Sequence, residues 1–139
     1  MRILIADPQP KVRFALRVLL EQQPGLEVVG EAGDAHCLLS EAEEACPDAV
    51  LLGWELSGMP VERLMKELRK TCPKLVVIAL SGRLEAKRAA AALGADAFVS
   101  KSNPPEHVLA AIASCECQDQ SDSPTTQDSK KRTVSPPQA

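Results

Sequence analysis

Aromatic residues are nearly missing from this chain, 2% of 139 residues, with two Phe, one Trp and no Tyr. Its core must therefore be aliphatic. An excess of one charge is missing as well. Sixteen Lys and Arg stand against 19 Asp and Glu, a formal net charge of −3, and the pI is near 5.4. Such a balance gives no long-range pull toward nucleic acid or an anionic membrane. No apolar run approaches the roughly 20 residues that span a bilayer. Charged Arg2 precedes a short apolar run broken by Asp7 and Pro8, which is not the pattern of a signal peptide. The five cysteines lack zinc-type spacing: Cys37, Cys46 and Cys72 fall in or beside helical segments, and Cys115 and Cys117 form a close pair near the end. Reduced thiols and a cytoplasmic location are expected.

What is present is an alternation. Apolar strand-like runs occur at Ile3–Ala6, Val28-Val29, Asp48–Gly53, Leu75–Leu80 and Ala97–Val99. Between them lie stripes at helical spacing: Val12, Leu16, Leu19 and Leu20; Leu38, Ala42 and Ala45; Val61, Leu64, Met65 and Leu68; Ala86, Ala89, Ala90 and Leu93; and Val108, Ala111, Ile112 and Cys115. Pro24-Gly25, Pro47 and Gly94 end helices, and Pro104-Pro105 begins one. Strands alternating with helices give a parallel sheet covered on both faces. Right-handed crossovers restrict its topology. The expectation is an α/β, flavodoxin-like three-layer sandwich, strand order 2-1-3-4-5, with ligands at the carboxyl ends of the strands. From Glu116 onward the composition turns to Ser, Thr, Gln, Asp and Pro, with a basic Lys130-Lys131-Arg132 cluster. The expected organisation is one domain over 1–115 and a disordered polar tail over 116–139.

The strand ends carry the chemistry. Asp7 follows the first run, Ser81 the fourth and Lys101 the fifth, while the third ends in Gly53. An acid, a hydroxyl and an ammonium would converge on one pocket, suited to a phosphorylated carboxylate whose own strand supplies no carboxylate. Asp48 stands at the other end of that strand, roughly 16 Å away at strand rise. Asp7 has a second reading, as N-cap of the first helix with Pro8 at the first helical position. Ser81 before Gly82 suits an ordinary turn or a helix cap, and Phe98 suits simple core. Trp54 either fills space over the pocket or faces a partner.

Taken together, Ile3–Asp7, Val28–Ala32, Pro47–Leu52, Gly58-Met59, Leu80-Ser81 and Gly94–Lys101 resemble the receiver domain of two-component response regulators, in the branch typified by NarL, over roughly Met1 to Ser114. The resemblance implies a CheY-like fold. It also implies that two adjacent acids after the first strand and an acceptor aspartate hold Mg²⁺, while a Ser or Thr and a Lys contact the phosphoryl oxygens. By position Asp7 is the first acid, Ser81 the hydroxyl, Lys101 the lysine and Phe98 the switch aromatic, with the backbone carbonyl of Glu55 as a metal ligand. Pro8 replaces the second acid and Gly53 the acceptor.

Glycine has no nucleophile for phosphoryl transfer. With two carboxylates gone, Mg²⁺ is expected to bind weakly or not at all, leaving Lys101 to pair with Asp7. The expected function is an atypical receiver, not an enzyme, independent of phosphorylation and acting by protein–protein contact. Its partners would be a sensor kinase, another regulator or an output protein, or a second copy through helix 4, strand 5 and helix 5. Two alternatives remain open: a conventional phosphoacceptor receiver using a non-standard acceptor, and a small-ligand binder on a flavodoxin-like sheet. The latter lacks a Gly-rich phosphate loop. No helix-turn-helix pattern follows Ser114, so direct DNA contact is not expected.

Overall fold

The computed structural model describes residues 1–121, with side chains described to Cys115. Its elements run β1 (Arg2–Ala6), α1 (Pro10–Glu21), β2 (Glu27–Ala32), α2 (Ala35–Ala45), β3 (Ala49–Gly53), α3 (Val61–Thr71), β4 (Val76–Ser81), α4 (Ala86–Ala92), β5 (Ala97–Ser100) and α5 (Glu106–Ser121). The sheet order is β2-β1-β3-β4-β5, and every strand pair is parallel. This is the topology that the alternation dictates. α5 continues to Ser121, past the boundary expected at 115, and the rest of the expected tail lies outside the described residues.

Strand alternation sorts the core into two layers. Leu4, Ala6, Val50, Leu52 and Val77 face Leu38, Ala42, Leu64, Met65 and Leu68 of α2 and α3. Ile3, Ile5, Leu51, Ile78 and Leu80 face Leu16 and Leu20 of α1 and Val108 and Ile112 of α5. β3 and β4 are buried at every residue, as parallel strands covered on both faces must be. Each large aliphatic side chain removed from water contributes about 1.5–3 kcal/mol, so the two layers hold the strand ends in fixed register.

The helix ends follow local chemistry. Asp34 caps α2, its side chain accepting from the Cys37 amide at 2.8 Å. α4 closes in a Schellman motif: Gly94 has φ +92°, Ala95 N–H donates to the Ala90 carbonyl at 3.0 Å and Gly94 N–H to Ala91 at 3.1 Å. On α1, Arg13 and Arg17 pair with Glu31 of β2 at 3.4 and 2.5 Å, fastening the helix to the edge strand. The Glu31 hydrogen bond pushes the Arg17 guanidinium above its usual pKa, against partial desolvation. Of the expected stripes, Ala86 and Ala90 are buried but Ala89 is exposed. α1 also presents Phe14 and Val18 to solvent. No helix among the described residues is long and apolar enough to cross a membrane.

Candidate functional site: the carboxyl ends of the strands

The topology brings Asp7, Gly53, Ser81 and Lys101 to one edge of the sheet. Asp7 follows β1, Gly53 ends β3, Ser81 ends β4 and Lys101 follows β5. β1 and β3 are neighbours, and Ser81 stands in register with Ser100. Asp48 precedes β3 at the opposite edge, where its carboxylate accepts from the Arg2 amide at 2.7 Å.

Asp7 is fully buried. Its Oδ2 lies 2.6 Å from Lys101 Nζ and meets no donor in hydrogen-bond geometry, so the contact is an ion pair held by charge. Oδ1 accepts from the Gln9 amide at 2.9 Å. The Asp7 carbonyl accepts from Arg13 Nη1 at 2.6 Å. This arrangement corrects the capping alternative: α1 begins at Pro10, with Gln9 as N-cap and no side-chain cap bond. Asp7 instead closes a two-residue turn ahead of the helix, because the second proline, rather than Pro8, takes the first helical position.

At Gly53 the missing side chain has been replaced by a neighbour. A Cβ built on its backbone would stand 2.6 Å from Asp7 Oδ2 and 3.2 Å from both Asp7 Cγ and the Ala6 carbonyl. The Asp7 carboxylate thus occupies the volume into which a side chain at position 53 would project.

Ser81 is also engaged. Its buried hydroxyl donates to Glu55 Oε2 at 2.6 Å and accepts from the Arg83 amide at 3.1 Å. It does not cap α4, whose N-cap is Glu85. The sequence offered Glu55 for its backbone carbonyl and set its carboxylate aside as a poorly placed loop residue, yet that side chain reaches the site through Ser81. Arg13 was missed as well. Its one signal was its place in the first turns of α1, from which an arginine can reach back to the strand end.

Phe98 lies on edge strand β5, half-buried, with a hollow of about 160 Å³ on its α4 side and one of about 260 Å³ on its α5 side. Trp54 is half-buried against the core layer of α2 and α3, and its amide donates to the Leu80 carbonyl at 2.8 Å. Beside Lys101 a further hollow of about 410 Å³ opens between α1 and the start of α5, walled in part by Val12, Leu16, Val99, Pro105 and Val108.

The model that describes the response regulator receiver domain matches residues 3–113. The chain belongs to the response regulator receiver domain family. This receiver is 32% identical over 113 residues to the nitrate/nitrite response regulator NarP of Escherichia coli K12, covering 80% of this chain and 53% of NarP. To NarL of the same organism it is 31% identical over 112 residues, covering 79% of this chain and 52% of that protein. It spans about half the length of these curated relatives. A LuxR-family two-component response regulator from an Aurantimonas species superposes with a TM-score of 0.77 at 28% identity, covering 84% of this chain and 85% of that one. RcsB from Salmonella enterica serovar Typhimurium, bound to promoter rprA with the phosphomimetic BeF3⁻, superposes with a TM-score of 0.75 at 25% identity, covering 84% of this chain and 98% of the other.

The Mg²⁺ that receivers employ does not fit the donors of this one. Mg²⁺ demands near-octahedral oxygen ligands, commonly including one or two carboxylates. Here Asp7 already faces Lys101 and the Gln9 amide, position 8 is proline, and a carboxylate oxygen of Glu55 holds the Ser81 hydroxyl. Among the described residues no group of three or more His, Cys, Asp or Glu gathers as a metal site.

Proposed function

We propose that this receiver acts in two-component or phosphorelay signalling without being phosphorylated, as a protein-interaction module rather than an enzyme. The observation that carries the reading is the packing at Gly53. The strand end that would present an acceptor has no side chain, and the Asp7 carboxylate fills that volume at 2.6 Å from where a Cβ would be. Two internal contacts support it. Lys101 is satisfied by Asp7 and Ser81 by Glu55, so the groups that would grip a phosphoryl oxygen already have partners. No Mg²⁺ is needed in this reading, because no phosphoryl transfer occurs.

Function then rests on surfaces. The face of α4, β5 and α5 presents half-buried Phe98 between two hollows, a shape suited to a second copy or to an output protein. A sensor kinase or another regulator is the alternative protein partner. The reading includes no direct nucleic-acid contact and places the protein in the cytoplasm.

The test is incubation with acetyl phosphate and Mg²⁺ followed by intact mass. The expected result is no covalent change, with a phosphorylatable receiver as positive control. A stoichiometric gain of one base-labile phosphoryl group overturns the reading and favours a non-standard acceptor, for which Glu55 is the nearest carboxylate to Ser81. One observation favours a second reading, that of a small-ligand binder: the apolar-walled hollow beside Lys101. Thermal stabilisation by any member of a nucleotide and flavin panel would support it, and its loss on Val12→Trp would place the ligand there.

A further inference from the structure

At the sheet edge opposite the strand-end site, two cysteines end adjacent helices. Cys46 is the C-cap of α2, in the left-handed conformation with φ +46°. Cys72 is the C-cap of α3. Their sulfurs rest on successive carbonyls of the same helix turn: Cys72 Sγ lies 3.7 Å from the Ala42 oxygen and Cys46 Sγ 3.8 Å from that of Glu43. The Cys46 amide donates to the same Ala42 oxygen at 3.0 Å. Both residues border one open hollow of about 680 Å³, together with Pro47, Asp48, Pro73 and Lys74.

We propose that Cys46 and Cys72 are an oxidisable pair that peroxide joins in an intramolecular disulfide. Cys46 is exposed and Cys72 half-buried, which assigns their order. The Cys46 thiolate attacks a peroxide oxygen, the O–O bond breaks, and the departing hydroxide takes a proton to become water. Cys72 sulfur then attacks the resulting sulfenic sulfur. The S–O bond breaks, the second oxygen leaves as water, and the Cys72 proton goes with it. Two thiols and one H₂O₂ give one disulfide and two waters, each sulfur giving up one electron. The surroundings set the pace. Burial, and secondarily the nearby Cys46, push the Cys72 thiol above its usual pKa, and helix C-termini disfavour thiolates. The closing attack by Cys72 therefore accelerates as pH rises. The bridge closes a loop across β3 and α3 and ties the ends of α2 and α3, which removes freedom from the unfolded chain. This inference is independent of the function proposed above.

The experiment uses the full chain, reduced, freed of reductant and treated with stoichiometric H₂O₂. Non-reducing peptide mapping should show a Cys46–Cys72 cross-link, with two of the five thiols lost. The melting temperature should rise by roughly 5–10 °C and return with dithiothreitol. Cys46→Ser and Cys72→Ser, each with unchanged circular dichroism, should both abolish the rise. Covalent dimers through Cys37, a bridge between other cysteines, or a stable sulfinic acid at Cys46 would each overturn the proposal, as would no reaction at all.

Discussion

Replacing Gly53 with alanine adds one methyl group at the place where Asp7 now sits. The new Cβ would lie 2.6 Å from Asp7 Oδ2, where ordinary contact begins at 3.4 Å, and 3.2 Å from the Ala6 carbonyl. The carbonyl belongs to a buried strand and moves little. The carboxylate must rotate, and it cannot do so without leaving the position 2.6 Å from Lys101 Nζ. Overpacking of this kind costs about 1–3 kcal/mol. Against it stands a gain of about 0.4–1 kcal/mol from a less flexible unfolded chain, available because Gly53 is not among the glycines with positive φ. The net expectation is a loss of about 1–2 kcal/mol.

The assay is a double-mutant cycle by urea unfolding, followed by circular dichroism and by the fluorescence of Trp54, the sole tryptophan. In an Asp7→Ala background the closest of these contacts is gone and the Ala6 carbonyl at 3.2 Å remains, so Gly53→Ala should be neutral or stabilising by about 0.5 kcal/mol. The coupling between the positions should therefore exceed about 1 kcal/mol. Equal effects in the two backgrounds, within about 0.5 kcal/mol, would refute the claim that Asp7 fills the vacated volume.

Other perturbations test the contacts around it. Lys101→Ala strands a fully buried carboxylate and should cost about 3 kcal/mol, most of it recovered when Asp7→Ala is added, as urea midpoints would show. Glu55→Ala removes the acceptor of the Ser81 hydroxyl; because Glu55 is exposed, stability should change by less than about 1 kcal/mol, while hydrogen exchange at the Arg83 amide speeds up. Unchanged protection there would mean that the Glu55 contact does not order the β4–α4 loop. Cys72 gives a pH dependence: its folded pKa is raised by burial, so the unfolded chain loses the proton first. Its contribution is whole below the ordinary thiol value of about 8.5 and is lost as pH rises through the higher folded value. Cys72→Ser should flatten that decline in urea midpoints, and an unaltered slope would count against the assignment.

Much of the fold was legible because the strongest local signals are also the ones that packing enforces. The six residues of β4 are all buried, and a run with no polar interruption has few other places to go. Gly94 announced the end of α4 because the motif needs a left-handed residue there. The identities at the strand ends were legible too, since position alone brings Asp7, Gly53, Ser81 and Lys101 to one edge. Side-chain choice was not. Glu55 can face solvent or Ser81 from the same backbone, and only the neighbouring hydroxyl, 26 positions away in sequence, selects between them. The start of α1 failed for a related reason. Pro8 and Pro10 both satisfy the first helical position, and the choice falls to Asp7, whose carboxylate is drawn to a lysine 94 residues on rather than to a helix amide.

Under the function proposed here, charge gives a reason for proline at position 8 and glycine at position 53 to occur together. Several carboxylates buried beside one lysine repel one another, and such a cluster is held by a bound cation or by retained protons. With proline at position 8 and glycine at position 53, one carboxylate faces one ammonium. That pair is neutral as it stands. Its desolvation is offset by close approach and by the Gln9 amide on the second oxygen. A phosphoryl group or divalent cation entering this site would have to break the pair, and would gain from one acid what an ordinary receiver offers from three. Under the function proposed here, the two substitutions thus belong together. Losing the acceptor alone would leave two acids against one lysine, while losing both produces a buried site whose charges close without any ligand.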